Sequence, residues 1–411
     1  MVKEVTKTIK LKLLVDKKQA QQLLAVSMLY RDVCQYVSDW IFEHDFVLNF
    51  MTLQKEIYHD IREKYPLNSQ MVISALKTTT ARYKTTKEQL AQKPYRYQDE
   101  KGRWVEIKRT LEWLQKPVHF RAPQCDQVRN RNYRLLKDGR IALSTLDGPI
   151  KVAYQAPPAW KEHLNDGWTI GTAKIIRQKK CWYMCIPMKK DLPEVEDSSI
   201  KTIVGIDRGF NFIIAAADSK GKSTFQSGRA IMHKRHHFAE LRKRLQIHNT
   251  QGSKRKIRAI GQRENRWMSD VNHRISKALV DQYGKGTLFV LEDLTGVSFS
   301  EENLRRRKQQ KQDLRSWAFY QLEQFLSYKA ECAGAKVIKV SPGYTSQRCP
   351  KCGIIEKKHR HHDTHEYRCT CGYRTNDDRV GALNLLELGR RYLAGDQHPR
   401  YSKSKKVAID K

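Results

Sequence analysis

The stretch Thr202-Ile203-Val204-Gly205-Ile206-Asp207 decides how the chain is read. An apolar run closed by a carboxylate reads as a buried strand that delivers an acid at its carboxyl end. That is the edge at which open α/β sheets place their chemistry. A second run, Leu288-Phe289-Val290-Leu291, ends on Glu292, and Asp378 opens a helix-like segment, Asp378 to Leu388, just beyond a cysteine-rich insert. Taken singly, an acid after a strand is ordinarily a cap or a solvated loop residue. Three carboxylates brought together repel one another unless a cation neutralises them, so they imply hard divalent metal. The chemistry that follows most naturally is two-metal phosphodiester hydrolysis.

Composition points the same way. The 411 residues suffice for two or three domains with buried cores. Lys and Arg number 78 against 44 Asp and Glu, a formal charge of +34 that calls for a polyanion partner. No stretch approaches the ~20 apolar residues of a spanning helix. The N-terminus, MVKEVTKTIKLKLL, has no apolar signal region, so a cytoplasmic protein is expected. Four of nine cysteines cluster between 349 and 371, a metal pattern rather than a disulfide framework. Cys34, Cys125, Cys181, Cys185 and Cys332 lack such spacing and read as small packing residues.

Upstream, Ile9, Leu11 and Leu13 alternate with polar partners as in a half-buried strand. Asp16 reads as the cap of a long helix through about His44, with Leu23, Val26, Tyr30, Val33, Val37 and Trp40 as its core stripe. Thr52 and Ser69 read as caps of two further helices. From Pro94 to Pro158 aromatics interleave with Arg and Lys (Tyr95, Arg96, Tyr97, Arg103, Trp104, Lys108, Arg109, Trp113). Such residues stack on bases and neutralise phosphates, or else fill a barrel core. Turns at Asp138-Gly139 and Asp147-Gly148, and a hairpin from Trp168 to Met188, predict a small β-barrel that the first strand joins. The acidic, Pro-containing stretch 191–199 reads as a linker.

Past Asp207 the sequence predicts a strand over Asn211 to Ala217, a basic helical stretch from Arg229 to Gln282, a helix from Leu314 bearing Trp317 and Phe319, and a final strand from Ala335 to Val340. Between them LRRRKQQKQ (304–312) is a charge run, ordinarily a solvated face or loop. Cys349, Cys352, Cys369 and Cys371, the first pair spaced CxxC and the second CxC, are set to hold Zn²⁺ in a structural site. His359, His361, His362 and His365 lie between the pairs, as substitute ligands or exposed turn residues. The basic tail after Gly389 has little periodicity and is expected to be disordered without nucleic acid.

The segments GIDRGF (205–210), LEDL (291–294), WAFYQLEQFLSYKA (317–330), SPGYTSQRCPKCG (341–353) and CGYRTNDDRVGALNLL (371–386) resemble the TnpB family, RNA-guided endonucleases of bacterial insertion sequences related to type V CRISPR effectors. Carried over by position, the resemblance makes Asp207, Glu292 and Asp378 the catalytic triad, with Asp377 the rival for third place. Asp378 is preferred because it stands ahead of Gly381-Ala382, although Val380 replaces the family's usual Asn, and the second cysteine pair is CxC where CxxC is usual. The NHRISKALV segment (272–280) is similar to one that packs near such centres, so Asn272 and His273 are candidates for touching a phosphate or a metal-bound water. The charge run 304–312 then becomes a lid over the substrate strand.

The fold so implied is multidomain α+β. It combines a RuvC/RNase H-like nuclease domain (200–345 and 377–392), a zinc-ribbon insert (346–376), a β-barrel wedge domain (1–14 and 93–190), a helical recognition lobe (15–92), the linker 191–199 and a basic tail (393–411). The implied cofactors are two Mg²⁺ ions bridged by Asp207, plus Zn²⁺. The implied partners are a guide RNA and double-stranded DNA beside a short target-adjacent motif, in the bacterial cytoplasm and on the nucleoid, with the oligomeric state left open. An RNA-guided repressor that does not cut, and a transposase using the same acids, are the rival functions. Loss of one acid would mark the first; the cysteine insert speaks against the second.

Overall fold

The chain separates into two units, Thr6–Lys190 and a second made of Met1–Val5 with Asp191–Lys411. The structure, a computed structural model, describes residues 2–122, 124–158, 160–209, 211–294, 319–361 and 363–402.

In the first unit β1 (Val2–Leu14) buries Ile9, Leu11 and Leu13 at alternate positions. Asp16 and Gln19 form a reciprocal capping box that starts α1 (Lys17–Glu43). Its stripe Val26, Tyr30, Val33 and Val37 packs with Leu53, Ile57 and Ile61 of α2 (Phe50–Lys64) and Met71, Ala75 and Leu76 of α3 (Ser69–Ala91). The caps of α2 and α3 are Asn49 and Asn68 rather than Thr52 and Ser69. Asn49 accepts from the amides of Met51 and Thr52, so Thr52 already lies in the first turn. Asn caps as well as Ser or Thr, and the earlier Asn wins.

An eight-stranded barrel-like sheet completes this unit. Its order is β4 (Gln124–Gln127), β9 (Ala173–Gln178), β10 (Cys181–Pro193), β1, β7 (Gly148–Gln155), β6 (Ile141–Thr145), β5 (Tyr133–Leu135), with β8 (Thr169–Ile170) beside β10. The β10 strand therefore continues to Pro193, into the stretch expected to be linker. The hydroxyls of Tyr30, Ser74 and Thr78 all donate to Asp126 Oδ2, at 3.0, 2.9 and 2.8 Å, which ties α1 and α3 to β4. Among the unclustered cysteines, Cys34 and Cys125 are buried, Cys181 and Cys185 are half-buried, and Cys332, expected to pack, is exposed.

The second unit is built on a mixed sheet in the order β13 (Ser223–Ser227), β12 (Phe212–Asp218), β11 (Thr202–Asp207), β14 (Thr287–Glu292), β15 (Lys336–Val340). The β11, β14 and β15 strands are parallel, and β12 runs antiparallel to β11. Period-two alternation divides the residues between two faces. Val204, Ile206, Phe289 and Leu291 pack against Met268, Val271, Ile275 and Leu279 of α6 (Gln251–Tyr283) and Leu322 and Leu326 of α7 (Phe319–Cys332). Ile203, Leu288 and Val290 pack on the other side against Leu385, Leu386 and Leu388 of α8 (Asp377–Leu393). Each of these leucines contributes roughly 1.5–3 kcal/mol by leaving water.

The basic stretch after β13 breaks into α5 (Arg229–His248) and α6, where Asn249 adopts a left-handed conformation and Thr250 caps the next helix. The α8 helix extends past Gly389, because Leu388, Tyr392 and Leu393 continue its apolar face. Beyond it Tyr401 is buried and donates its hydroxyl to the Asn384 carbonyl at 2.9 Å, so that part of the tail is ordered against the fold. The charge run 304–312, Leu314, Trp317, His362 and the tail from 403 onward lie outside the described residues.

Candidate active site

The face that receives α8 also receives the acids. On β11, Ile203, Gly205 and Asp207 share a side; on β14, Leu288, Val290 and Glu292 do. The strands are parallel and in register, Ile206 opposite Leu291, so both acids emerge together at the carboxyl ends. The α8 helix then crosses Asp207 very closely. A Cβ on Gly381 would lie 2.8 Å from Asp207 Cγ, and one on Gly389 2.6 Å from a Val290 methyl and 2.7 Å from an Ile203 methyl. Gly205 meets the α8 backbone itself, at Ala382 and Leu386. Three glycines at the contact let a helix lie against a sheet more closely than side chains permit. The approach brings Asp378, one turn before Gly381, to the same place, with both its carboxylate oxygens 4.0 Å from where a Gly209 Cβ would be.

The electrostatics follow from that packing. Burial pushes the Asp207 carboxyl well above its usual range, and the charges of Glu292 and Asp378 push it further. Glu292 is raised by burial, opposed by a hydrogen bond from Thr345 and by the charges of Arg208 and Arg360. Asp378 is raised by burial and then by Asp377. Three carboxylates that disfavour one another's charge form a donor set suited to a hard cation. Among the described residues only the four cysteines bring all their ligand atoms within 4.8 Å of one another.

Several residues whose roles the sequence did not show hold this arrangement. Arg208, buried, donates to the Glu292 carbonyl and to Glu323 of α7 at 3.3 Å, which joins the ends of β11 and β14. Thr345 donates to Glu292 Oε1. The Thr345 carbonyl in turn accepts from Asn384 of α8 at 2.7 Å, linking Glu292 to the helix that carries Asp378. Arg360 lies 2.9 Å from Asp377 and 3.4 Å from Asp378. Asp377 is itself 1% exposed, and at α8's first turn, capped by Asn376, both acids benefit from the helix dipole. Asn272 has a core role instead, while His273 is exposed on α6. Asn272 is buried and donates to Gln321 at 3.0 Å, and the His273 ring stacks on Phe325 at 3.8 Å.

Cys349 Sγ lies 3.7 Å from Cys371 Sγ, and Cys352 Sγ 3.5 Å from Cys369 Sγ. A tetrahedral site with Zn–S of about 2.3 Å has S···S edges of about 3.8 Å, so the four thiols fit zinc despite the CxC spacing. Hydrogen bonding from the Tyr373 backbone lowers the Cys371 thiol to about 7, while burial lifts Cys349 to about 12. His359 is not an exposed turn residue; it is 3% exposed and packs edge-on against Tyr367. His361 and His365 are exposed.

Residues 319–385 match the profile of the Cas12f1-like TNB domain. The chain is 28% identical over 240 residues to the CRISPR-associated endodeoxyribonuclease Cas12f1 of Sulfoacidibacillus thermotolerans, across 54% of this chain and 54% of that protein. It therefore spans about half the length of that relative. In fold it resembles the chain in a Cas12f1–sgRNA–target DNA complex, with a TM-score of 0.54 at 14% identity, covering 93% of this chain and 99% of that one. The TnpB-like protein MJ0751 of Methanocaldococcus jannaschii is 31% identical over 206 residues, which are 47% of this chain and 68% of that protein. On that shared sequence, with the three acids drawn to one sheet edge and the four-cysteine knot between the second and third, the chain belongs to the TnpB-like family.

Proposed function

We propose that this protein is an RNA-guided DNA endonuclease, encoded by or derived from an insertion sequence, that cuts double-stranded DNA beside a short adjacent motif. The observation that carries this reading is the half-buried Asp207 carboxyl at the end of β11, raised by desolvation and by the charges of Glu292 and Asp378 beside it. A protein folded only to bind nucleic acid gains nothing from three mutually repelling acids withdrawn in part from water. The similar protein of S. thermotolerans is named an endodeoxyribonuclease, and the similar fold comes from a complex with guide RNA and target DNA. The formal charge of +34 suits two polyanions.

In this reading 200–345 and 377–392 form a RuvC/RNase H-like nuclease domain and 346–376 a zinc ribbon. The barrel of 1–14 and 93–190 is the wedge, 15–92 the recognition lobe, 191–199 the linker and 393–411 a basic tail. Asp207, Glu292 and Asp378 would hold Mg²⁺, which when bound supplies Lewis acidity toward water and toward the leaving 3′ oxygen. Thr345 and Arg208 orient the Glu292 end of β14. Arg360 offsets negative charge beside Asp378. Cys349, Cys352, Cys369 and Cys371 would hold Zn²⁺ in a closed site that shapes the insert leading into Asp378. No helix among the described residues is long and apolar enough to cross a membrane, and work on DNA in the cytoplasm fits the reading.

The test is cleavage of linear duplex by protein purified with its RNA. Magnesium-dependent double-strand cuts that require the cognate RNA are expected. RNA-dependent binding without cuts would replace the reading with a repressor, and strand joining would replace it with a transposase.

A further inference from the structure

The strands β2 (Tyr95–Gln98) and β3 (Trp104–Ile107) pair only with each other among the described residues. A two-stranded hairpin of this kind is marginal in water on its own. Alternation puts Tyr95 and Tyr97 on one face, opposite Ile107 and Val105. The two tyrosine rings stack at 5.8 Å between centroids, and Trp113 extends the row at 5.7 Å from Tyr95. Arg109 caps it, with its guanidinium 5.5 Å from the Trp113 ring. The row lies open: Tyr95 is 43% exposed, Tyr97 39% and Trp113 45%. Lys101, Arg103 and Lys108 are exposed in the same segment, as are Glu100 and Glu112, while Arg96 pairs with Glu106 at 2.9 Å on the opposite face.

An open row of rings that ends on the Arg109 guanidinium, with Lys101, Arg103 and Lys108 in the same segment, matches stacked bases joined by phosphates. A protein surface apolar enough to cover the rings would strip the neighbouring cations of water without neutralising them. A duplex keeps its bases stacked inside, whereas RNA loops splay theirs outward, and target DNA enters as a duplex. We propose that the Tyr97–Tyr95–Trp113 face is a stacking platform for unpaired bases of the guide RNA. This rests on the RNA-guided reading above, and it assigns a partner to the aromatics that a barrel-core reading would have buried.

Guide RNA carrying 4-thiouridine is cross-linked to the whole protein, and its affinity is measured for wild type, for the Tyr95→Ala/Tyr97→Ala pair and for the Tyr95→Phe/Tyr97→Phe pair. The expected result is cross-links within 95–113, at least about a tenfold affinity loss in the alanine pair, and none in the phenylalanine pair. Unchanged RNA affinity in a folded alanine pair overturns the proposal. So do cross-links that reach 95–113 only from thymidine-labelled displaced DNA. If the alanine pair does not fold, the wild-type cross-link map decides. Wild-type protein that neither prefers its RNA nor cuts with it would sink the RNA-guided reading itself. Wild type that cuts while its hairpin stays unlabelled sinks this inference alone.

Discussion

Two clusters in the second unit are suited to metal, and they are packed in opposite ways. The four thiols lie with every ligand atom within 4.8 Å of the rest, while Asp207 feels the charges of both Glu292 and Asp378. Protonated thiols do not repel, so a short loop can close on them before metal arrives. Carboxylates do repel, and here backbone packing and Arg360 hold them near one another at an electrostatic cost. One cluster stabilises its surroundings; the other is a strained site maintained by them.

The largest expected effect isolates the strained site. Asp207→Ala should lower cleavage by at least about a thousandfold while RNA-dependent DNA binding persists. A variant that still cuts would remove Asp207 from the chemistry. Next, stripping zinc with a chelator, or Cys349→Ser, should expose 346–376 to proteolysis and abolish cutting, because the insert leads directly into Asp378. An insert that stays protected with cleavage intact would break the contrast from the other side.

Arg360→Ala should slow cleavage by roughly ten- to a hundredfold, with partial recovery in Arg360→Lys, since a point charge replaces only part of a guanidinium that spans Asp377 and Asp378. Equal rates in all three proteins would limit Arg360 to the surface of the site. The smallest effect concerns stability. A carboxyl raised in the folded state contributes stability below its unfolded pKa, and that contribution is lost as pH rises through the folded value. Metal-free protein should therefore lose melting temperature above about pH 4 through these groups. At pH 7 Asp207→Asn should melt about 2–6 °C higher than wild type. Saturating Mg²⁺ should stabilise wild type and leave the variant nearly unmoved. A lower melting temperature for Asp207→Asn would contradict the strained-site account.

The acids were legible in the sequence because each of two ends a short apolar run, and period-two alternation in parallel strands then sends both to one face. The cysteine knot was legible from spacing. The roles of Arg208, Thr345, Arg360 and Asn384 were not, although the first, second and fourth lie in the family-like segments, because each acts on a partner remote in the chain. Gly205 looked like one more residue of a strand; only the passage of α8 over it explains why a side chain is excluded. Asn272 went the other way, since its amide suggested chemistry and the packing of α6 on α7 absorbed it, while His273 stays exposed and stacks on Phe325. Aromatics between 94 and 158 could not be sorted into core and surface without the pairing of β2 with β3.

The most direct test of the central claim is anomalous scattering from crystals soaked in Mn²⁺. The account predicts manganese density contacting Asp207, Glu292 and Asp378 together, and its loss in Asp207→Ala. Manganese bound elsewhere, with the three carboxylates untouched in a protein that still cleaves, would contradict it.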